Sequence, residues 1–428
     1  MAITYHRDVL PSGLRVVTVE AQHLHSALLA IYVRTGSRHE TPRVNGVSHF
    51  LEHLFFRGSE AYPDTVRMNG AVEEVGGNLN GITARDHGCY YTPIHPAHAG
   101  LGLTILGDLL TRPRLTDLET ERKIVLEEML DEVDERGREV DIDNLSKRAL
   151  FGDHPLALHI AGTPETVRAL SLEDVRAHFA RHYVAQNLVV AVSGNVERTQ
   201  VLEQVAEAFA RLPSGKVTRE QAPPRQEGPR FHFTHHTGSQ SELRLSFRTV
   251  PDQHPDSAAL ALLRRVLDDG LSSRLPYEVV EKRGLAYSLD ASWDSFHDLG
   301  LFEIDAACLP DNAAKVAEAS LEVLGALCDA KVPEEELARA KRRHRMLLDF
   351  SQDSPGELAG WYGGTELFRR PETFAERIAQ IEAQTPRSLQ RVARKVFTRR
   401  NLCAVTVGPR KGVKALERVV LQASALPH

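Results

Sequence analysis

Residues 171–195 read SLEDVRAHFARHYVAQNLVVAVSGN, and residues 385–409 read TPRSLQRVARKVFTRRNLCAVTVGP. One constant offset aligns the two segments, so that Asn187 coincides with Asn401 and apolar positions coincide as well. Each segment has the apolar spacing of an amphipathic helix, followed by a short turn and an apolar run of strand length. The repeat predicts that the chain consists of two related α+β halves.

A second pair of segments supports this duplication. An apolar run at 27–34 precedes a polar loop and a predicted helix around 47–56. In the second half, a similar run at 242–248 precedes a polar loop and a predicted helix around 257–267. Strand, loop and helix are therefore predicted to recur in the same order in both halves.

The segment 213–230, PSGKVTREQAPPRQEGPR, separates the two halves. It is rich in proline and glycine and has almost no apolar side chains, which is typical of an exposed linker. We therefore predict an N-terminal domain at 1–213, a linker at 214–230 and a homologous C-terminal domain at 231–428. The length of 428 residues allows two or three domains of roughly 100 to 200 residues each.

Charge and composition disfavour several classes of protein. With 58 acidic and 52 basic residues the net charge is -6, which offers no broad cationic surface to nucleic acid. The four cysteines form no CxxC pair, so we expect neither a disulfide framework nor a thiolate zinc site. No apolar stretch reaches the roughly 18 residues of a membrane span, so we expect no membrane segment. The N-terminus lacks a basic segment followed by an apolar run; we expect a cytoplasmic location, and a periplasmic one stays open.

Residues 49–53, HFLEH, form an HxxEH motif in the predicted helix around 47–56. At about 100° per residue, His49, Glu52 and His53 share one face, and the apolar residues take the opposite face. Two histidines one turn apart can bind a catalytic zinc, and a glutamate beside them can polarise a water molecule. The alternative is chance, because a chain with 20 histidines contains HxxEH in very roughly one such sequence in twenty.

A third ligand is needed from another element, because a mononuclear catalytic zinc usually has three protein ligands. Residues 117–135, DLETERKIVLEEMLDEVDE, predict a strong helix. Its predicted apolar stripe is formed by Leu126, Leu130 and Val133.

Glutamates on the other side of this predicted helix are the candidates for the third ligand. Glu121, Glu128 and Glu132 lie within about 40° of one another around the helix axis. A row of carboxylates is also typical of a solvated helix face. Spacing alone leaves both interpretations open.

Five segments of the chain match motifs of one protein family. They are DVLPSGLRVV, GSRHETPRVNGVSHFLEHLFFRGSE, GGNLNGITARDHGCYY, ETERKIVLEEMLDE and KRGLAYS. Together they resemble the inverted zincins of the pitrilysin type, which include insulysin, the mitochondrial processing peptidases and shorter bacterial relatives. The resemblance covers nearly the whole chain. It implies an α+β fold of two homologous α/β-sandwich halves, each with a mixed or antiparallel sheet covered by helices.

The resemblance also implies roles for individual residues. His49 and His53 match the family's zinc ligands, and Glu52 matches its general base. Glu128 matches the third ligand of a single Zn²⁺ per chain. Glu121 matches a glutamate that supports the site from behind the ligands.

Two residues of the segment GGNLNG are implied to contact substrate. This segment resembles the turn and edge strand that pair with an extended substrate backbone in the family. Asn80 matches a substrate-contacting asparagine, and Gly81 stands where the family commonly has alanine. The alternative is an ordinary glycine-rich hairpin.

The second half departs from the family pattern. Tyr287 matches a tyrosine that engages the substrate, but Val280 stands where relatives often carry an arginine. Valine cannot make a charge-assisted contact, so this part of the substrate clamp is incomplete in the chain. Lys282, Arg283 and Arg274 are candidate replacements, or they are ordinary surface cations.

The resemblance implies a zinc-dependent endopeptidase that cleaves unstructured peptides held by strand addition. The chain resembles half of the longer family members, so a closed chamber needs a dimer. The partner is either a second copy or a related subunit that supplies the missing arginine. Two alternatives are a non-catalytic structural subunit of a processing-peptidase-like complex, which typically loses parts of HxxEH, and a small-molecule metal hydrolase.

Overall fold

The computed structural model describes residues 3–217 and 220–428, which form two compact units. Within these residues, the first unit comprises 3–129, 158–217, 220–221 and 348–372, and the second comprises Leu130–Ala157, Ala222–Leu347 and Thr373–His428. The change of unit after Gln221 falls inside the predicted linker 214–230. The domains predicted from the sequence are continuous stretches of the chain. In the structure, by contrast, Leu130–Ala157 belongs to the second unit and Leu348–Glu372 belongs to the first.

Each unit contains one β-sheet. The strands are β1 (Thr4–Val9), β2 (Arg15–Glu20), β3 (Ala27–Val33), β4 (Asn80–Thr83), β5 (Gly88–Ile94), β6 (Leu188–Gly194), β7 (Arg230–His235), β8 (Ser241–Thr249), β9 (Ser288–Ser295), β10 (Gly300–Cys308) and β11 (Leu402–Gly408). The first sheet has the order β1-β2-β6-β3-β5-β4, and the second has the order β7-β11-β8-β10-β9. Both sheets are mixed, because β2 and β6 are parallel, β7 and β11 are parallel, and the other pairs are antiparallel.

Helices cover the sheets. They are α1 (Val47–Phe55), α2 (Thr65–Glu73), α3 (Ala99–Thr111), α4 (Leu118–Glu128), α5 (Ile142–Phe151), α6 (Pro164–Ala169), α7 (Leu172–His182), α8 (Arg198–Ala208), α9 (Ser257–Leu267), α10 (Ala313–Asp329), α11 (Glu334–Ser351), α12 (Pro355–Ala359), α13 (Phe374–Glu382), α14 (Pro386–Val396) and α15 (Val413–Gln422). Wider helical turns of the π type lie at Pro276–Glu281 and Gly360–Gly364. Among the described residues, no helix is both long and apolar enough to cross a membrane.

The two sheets repeat one topology. Strands β2, β6, β3, β5 and β4 correspond in order and direction to β7, β11, β8, β10 and β9. The aligned asparagines make matching bonds: Asn187 Nδ2 donates to the carbonyl of His182 at 3.0 Å, and Asn401 Nδ2 donates to the carbonyl of Val396 at 2.8 Å. Each bond ties the turn before a central strand to the end of the preceding helix. The predicted α+β fold of two homologous halves is confirmed.

The core of the first unit lies between one face of its sheet and helices α1, α3, α7 and α8. Leu29 and Ile31 of β3 pack there with Phe50 of α1 and Leu106 of α3, and all four side chains are inaccessible to solvent. The other face of this sheet is covered within the first unit by residues 348–372. Because both faces are covered, β6 is buried along its whole length.

The aromatic ring of Tyr362 shows why residues 348–372 belong to the first unit. It stacks on Tyr5 of β1 with ring centroids 4.5 Å apart. In the same segment, the buried carboxylate of Glu366 accepts a hydrogen bond from Arg7 Nε at 2.9 Å. Aromatic stacking and a partly buried ion pair therefore fix this segment to the first sheet.

The second unit has the same arrangement of layers. Its main core packs Phe247 and Phe302 of the sheet against helices α9, α10, α14 and α15. The other face of its sheet is covered by α5, whose Leu150 and Phe151 pack with Val405 of β11. Helical periodicity shows that α5 has an apolar face but not which sheet that face covers. The sequence pattern therefore does not predict that the segment containing α5, Leu130–Ala157, belongs to the second unit.

Candidate metal centre

The HxxEH motif lies on α1 as its periodicity predicts. Phe50, Leu51 and Leu54 have no solvent exposure, whereas His49, Glu52 and His53 are half-buried on the other face. The imidazole rings of the two histidines meet edge to face, with centroids 4.7 Å apart. A helix buried on one face therefore presents two imidazoles and a carboxylate together.

A buried carboxylate fixes the N-terminus of α1. Glu40 Oε2 accepts from the main-chain N–H of Gly46 at 2.7 Å and from Asn45 Nδ2 at 2.8 Å, and Oε1 accepts from the N–H of Ser48 at 2.8 Å. These bonds satisfy N–H groups that have no partner within the helix, and the negative charge suits the positive end of the helix dipole. Burial raises the pKa of Glu40, and the three bonds oppose that rise. No spacing in the sequence singles out Glu40, and only the folded turn brings its carboxylate to these three donors.

The second element of the site is α4, which ends at Glu128. Glu128 Oε1 lies 3.7 Å from His49 Nε2, and Glu128 Oε2 lies 3.4 Å from His53 Nε2. One ligand atom from each of these three residues lies within 4.8 Å of the other two. In the described part of the chain, no other group of three or more His, Cys, Asp or Glu residues meets this condition.

The donor set and its spacing fit a zinc ion. Two imidazole nitrogens and a carboxylate oxygen are a common ligand set for catalytic zinc. Ligand atoms about 2.0 to 2.2 Å from a tetrahedral zinc lie about 3.3 to 3.6 Å apart, close to the separations of Glu128 from the two histidines. Burial, with a smaller contribution from His53, lowers the pKa of His49 to about 4. His49 is therefore neutral at pH 7, as metal binding requires.

The predicted helix 117–135 is too long, and this decides which glutamates join the site. The α-helix ends at Glu128 and continues as a short 3₁₀ turn, Met129–Glu132. Leu130 is 64% exposed, so the predicted apolar stripe is wrong at this position; Leu126 packs half-buried against the core, and Val125 and Met129 are the buried apolar residues. Glu132 accepts from Asn144 Nδ2 at 3.0 Å within the second unit and is not among the clustered ligand atoms.

Glu121 is not among the clustered ligand atoms but contacts one of the three clustered residues, His53. Only 3% of this residue is exposed, and its carboxylate accepts hydrogen bonds from His53 Nδ1, at 3.0 Å, and from Arg57 Nε. A carboxylate can only accept, so Nδ1 of His53 carries the proton. In the neutral ring, the lone pair of Nε2 then faces Glu128.

Glu52 contacts the edge strand of the first sheet. Its Oε2 accepts a hydrogen bond from Thr83 Oγ1 at the end of β4. Burial raises the pKa of Glu52, and the charge of Glu128 raises it further, while the Thr83 bond and His53 act in the opposite direction. A half-buried carboxyl group with a raised pKa beside a metal site is typical of a general base.

The strand β4 is the last strand of the first sheet and pairs only with β5 among the described residues. Within the described ranges, no neighbouring strand uses the main-chain groups of its other edge. Asn80 Nδ2 donates to the carbonyl of Asn78 at 3.0 Å. Gly81 packs so closely on α1 that an added Cβ would lie 2.8 Å from Glu52 Cγ and from Phe56 Cε2. The substrate contacts of Asn80 and Gly81 stay predictions.

Tyr287 and Val280 belong to the second unit. Tyr287 is 84% exposed and directly precedes β9. Val280 lies in the π-type turn Pro276–Glu281 and packs, half-buried, against the core of the second unit. Its apolar side chain therefore has a packing role in this chain. The substrate contact of Tyr287 stays a prediction.

The three candidate cations near Val280 are all paired with carboxylates of the second unit. Lys282 binds Glu278 at 3.0 Å, and Arg283 binds Glu322 at 3.0 Å. Arg274 makes a two-pronged contact with Glu336, at 2.7 and 3.0 Å. These pairings favour the interpretation as ordinary surface cations.

Two solved structures share the fold of this chain. A protease from Helicobacter pylori superposes with a TM-score of 0.87 at 22% identity, over 95% of this chain and 100% of that chain. A structure described as the peptidase M16 inactive domain from Pseudomonas fluorescens gives a TM-score of 0.87 at 21% identity, over 95% and 98%. The fold is that of the two-domain M16-like peptidases.

Sequence comparisons identify the family. The family model described as Insulinase (Peptidase family M16) matches residues 15–164, and the model described as Peptidase M16 inactive domain matches residues 169–343. An uncharacterized zinc protease of Mycobacterium leprae is 33% identical over 422 residues, which is 96% of this chain and 93% of that protein. The chain belongs to peptidase family M16, and the resemblance inferred from its motifs is confirmed.

Other relatives have consistent names. An uncharacterized zinc protease of Bacillus subtilis is 28% identical over 92% of this chain and 95% of its own length. A probable mitochondrial-processing peptidase subunit beta of Arabidopsis thaliana is 27% identical over 94% of this chain and 77% of its own length. The family therefore includes proteins named as zinc proteases and as processing-peptidase subunits.

Proposed function

We propose that this chain is a zinc-dependent endopeptidase that cleaves unstructured peptides. The observation that carries the proposal is the cluster of His49, His53 and Glu128 with Glu52 beside it, all within the first unit. The names of the relatives support zinc as the metal. A non-catalytic subunit has no need of the complete set of these four residues.

The chemistry divides between the metal and the residues around it. A zinc ion held by the three ligands supplies Lewis-acid polarisation of a carbonyl group or a water molecule. Glu52 takes a proton from the attacking water and returns it to the amine that leaves when the peptide bond breaks. Glu121 keeps His53 in the tautomer and orientation that metal binding needs.

The substrate is proposed to bind as an added strand. The free edge of β4 carries the main-chain groups of Asn80 and Gly81 next to Glu52. Pairing through the main chain tolerates many side chains, which suits an enzyme that acts on extended peptides. A folded protein offers few such free segments, so unstructured peptides are the expected substrates.

Metal analysis combined with peptide cleavage tests this function. Wild-type protein should hold about one zinc per chain and cleave a signal-peptide-like unstructured peptide. Glu52→Gln should retain the zinc and lose at least about a hundredfold in kcat, because the amide cannot accept the proton. Full cleavage by Glu52→Gln contradicts the mechanism, and zinc-loaded wild type that cleaves no peptide supports the structural-subunit alternative.

The active form is proposed to be a dimer. The relative from Arabidopsis thaliana is named as a subunit, and Val280 stands where relatives often carry an arginine. The partner is a second copy of the chain or a related subunit that supplies this cation. Light scattering on the purified chain, with cleavage measured on the same sample, distinguishes the two: a fully active homodimer excludes an obligatory heterodimer, and an inactive monomer indicates a missing partner.

A further inference from the structure

Strand β4 contacts the candidate base through two residues on one of its faces. Side chains alternate along a strand, so Gly81 and Thr83 face the same way, and Ile82, which is 49% exposed, faces the other way. Thr83 Oγ1 donates to Glu52 Oε2, and Gly81 lies against the same side chain. Two alternate positions of β4 therefore border one carboxylate on α1.

The hydroxyl of Thr83 fixes one oxygen of Glu52. Thr83 is half-buried, and its Oγ1 acts as the donor because the carboxylate can only accept. Glu52 Oε1 has no hydrogen-bond partner among the described residues. The bond thus orients the carboxylate and leaves the second oxygen free to handle a proton.

The absence of a side chain at Gly81 gives Glu52 its space. A Cβ at this position would lie 2.8 Å from Glu52 Cγ, from Glu52 Oε1 and from Phe56 Cε2. Contacts this short force a neighbour to move, and Phe56 belongs to the end of the packed helix α1. The carboxylate of Glu52 is the more mobile neighbour, so a methyl group added at residue 81 of this chain is expected to displace it and also to press on the Phe56 ring.

We propose that Thr83 and Gly81 are positioning residues for Glu52. The Thr83 hydroxyl orients the Glu52 carboxylate by a hydrogen bond, and the lack of a side chain at Gly81 leaves room for the Glu52 side chain beside β4. The proposal rests on the role of Glu52 as the base in the proposed function. It adds that the strand expected to pair with the substrate also sets the position of the base. Substrate and base are then held by one rigid element, and a displacement of about 1 Å is costly in catalysis.

Replacing the hydroxyl tests the first half of the proposal. Thr83→Val removes the donor and keeps the shape, and Thr83→Ser keeps the donor. We expect Thr83→Val to lose about ten- to hundredfold in kcat with little change in KM or zinc content, and Thr83→Ser to regain most of that loss. Thr104→Val, which removes an exposed hydroxyl bond on α3, is the matched control and should leave kcat unchanged.

A stability cycle on the metal-free protein gives a readout independent of turnover. Thr83→Val should lower the unfolding midpoint when Glu52 is present, because a half-buried carboxylate loses its partner. The same change should have little effect in a Glu52→Ala background. Equal shifts in both backgrounds would mean that Thr83 only stabilises the strand.

Gly81→Ala tests the second half. It should lower kcat while zinc content stays close to wild type, and its contact with Phe56 should lower the unfolding midpoint equally with and without the Glu52 side chain. Wild-type kcat in both Thr83→Val and Gly81→Ala overturns the inference, as does loss of zinc in proportion to activity. If Glu52→Gln is inactive while these variants are fully active, only this inference fails; if Glu52→Gln is active, the proposed function fails.

Discussion

His53 Nδ1 lies 3.0 Å from Glu121 Oε2, and this carboxylate also binds Arg57 Nε. The glutamate is almost completely buried on α4, seven positions before the proposed ligand Glu128 on the same helix. One helix therefore provides both a proposed metal ligand and the carboxylate that binds a second proposed ligand, His53. The relative position of α1 and α4 is consequently the main determinant of the site geometry.

Glu121→Gln should weaken zinc binding by about ten- to hundredfold, because the amide is a poorer acceptor for His53 Nδ1 and leaves Arg57 without its carboxylate partner. Zinc affinity measured by competition with a chelator checks this expectation. Glu119→Gln changes an exposed glutamate on the same helix and should have wild-type affinity. Unchanged affinity in Glu121→Gln would remove its supporting role.

Glu128→Gln should lose zinc far more readily than Glu127→Gln. The two side chains are adjacent and both exposed, but only Glu128 lies among the clustered ligand atoms. A neutral amide is a much weaker zinc ligand than a carboxylate. Zinc retained after dialysis against a chelator gives the comparison, and the reverse order would show that α4 presents its other face to the histidines.

Glu40→Ala should destabilise the first unit by about 2 to 4 kcal/mol, because it leaves the buried main-chain N–H groups of Gly46 and Ser48 without an acceptor and removes one of the two acceptors of Asn45 Nδ2, which keeps the carbonyl of His159. Chemical denaturation of the metal-free protein measures this loss. Glu74→Ala, at an exposed position after α2, is the control and should change the free energy of unfolding by less than about 0.5 kcal/mol. A loss no larger than that of the control would mean that solvent replaces the Glu40 bonds.

The stability of the chain should fall in mild acid partly through His344 in the second unit. Burial lowers the pKa of His344 from its ordinary 6.5 to about 3, and the charges of Arg265 and Arg377 add to this lowering. Arg265 Nε donates to His344 Nδ1 at 3.0 Å, so the folded ring is held neutral. The unfolded chain binds a proton below about pH 6.5 and the folded chain does not, so stability is present above pH 6.5 and decreases as the pH falls toward 3.

His344→Gln keeps an acceptor for Arg265 and removes the titration. Between pH 7 and pH 5, wild type should lose about 2 kcal/mol more unfolding free energy than this variant. Denaturation curves at the two pH values test the difference, and His25→Gln, at an exposed histidine, should behave like wild type. Parallel pH dependence in wild type and His344→Gln would show that His344 is protonated in the folded chain.

Local periodicity was sufficient to predict the elements that carry the site. The face of α1 shared by His49, Glu52 and His53 follows from about 100° per residue, and the limits of α1 were predicted to within one residue. The C-terminal end of α4 does not follow from the sequence. The helical spacing of glutamates continues to Glu132, although the backbone changes to a 3₁₀ turn after Glu128. Spacing alone for that reason does not separate Glu132 from Glu128, and it is the family resemblance that assigns the third ligand to Glu128.

The sequence by itself determined the duplicated α+β plan, the zinc-peptidase motif and the polar face that presents it. These features depend on residues close together in the chain or on a repeat that is readable at fixed spacing. Only the tertiary structure decided that Glu40 anchors α1, that Thr83 and Gly81 border Glu52, and that residues 130–157 and 348–372 exchange between the compact units. The physical reason is that hydrogen bonds and helix–sheet packing join segments far apart in the chain. A local pattern of polar and apolar residues indicates that a face must be buried or that its polar groups need hydrogen-bond partners. It does not indicate which distant segment covers that face or supplies those partners.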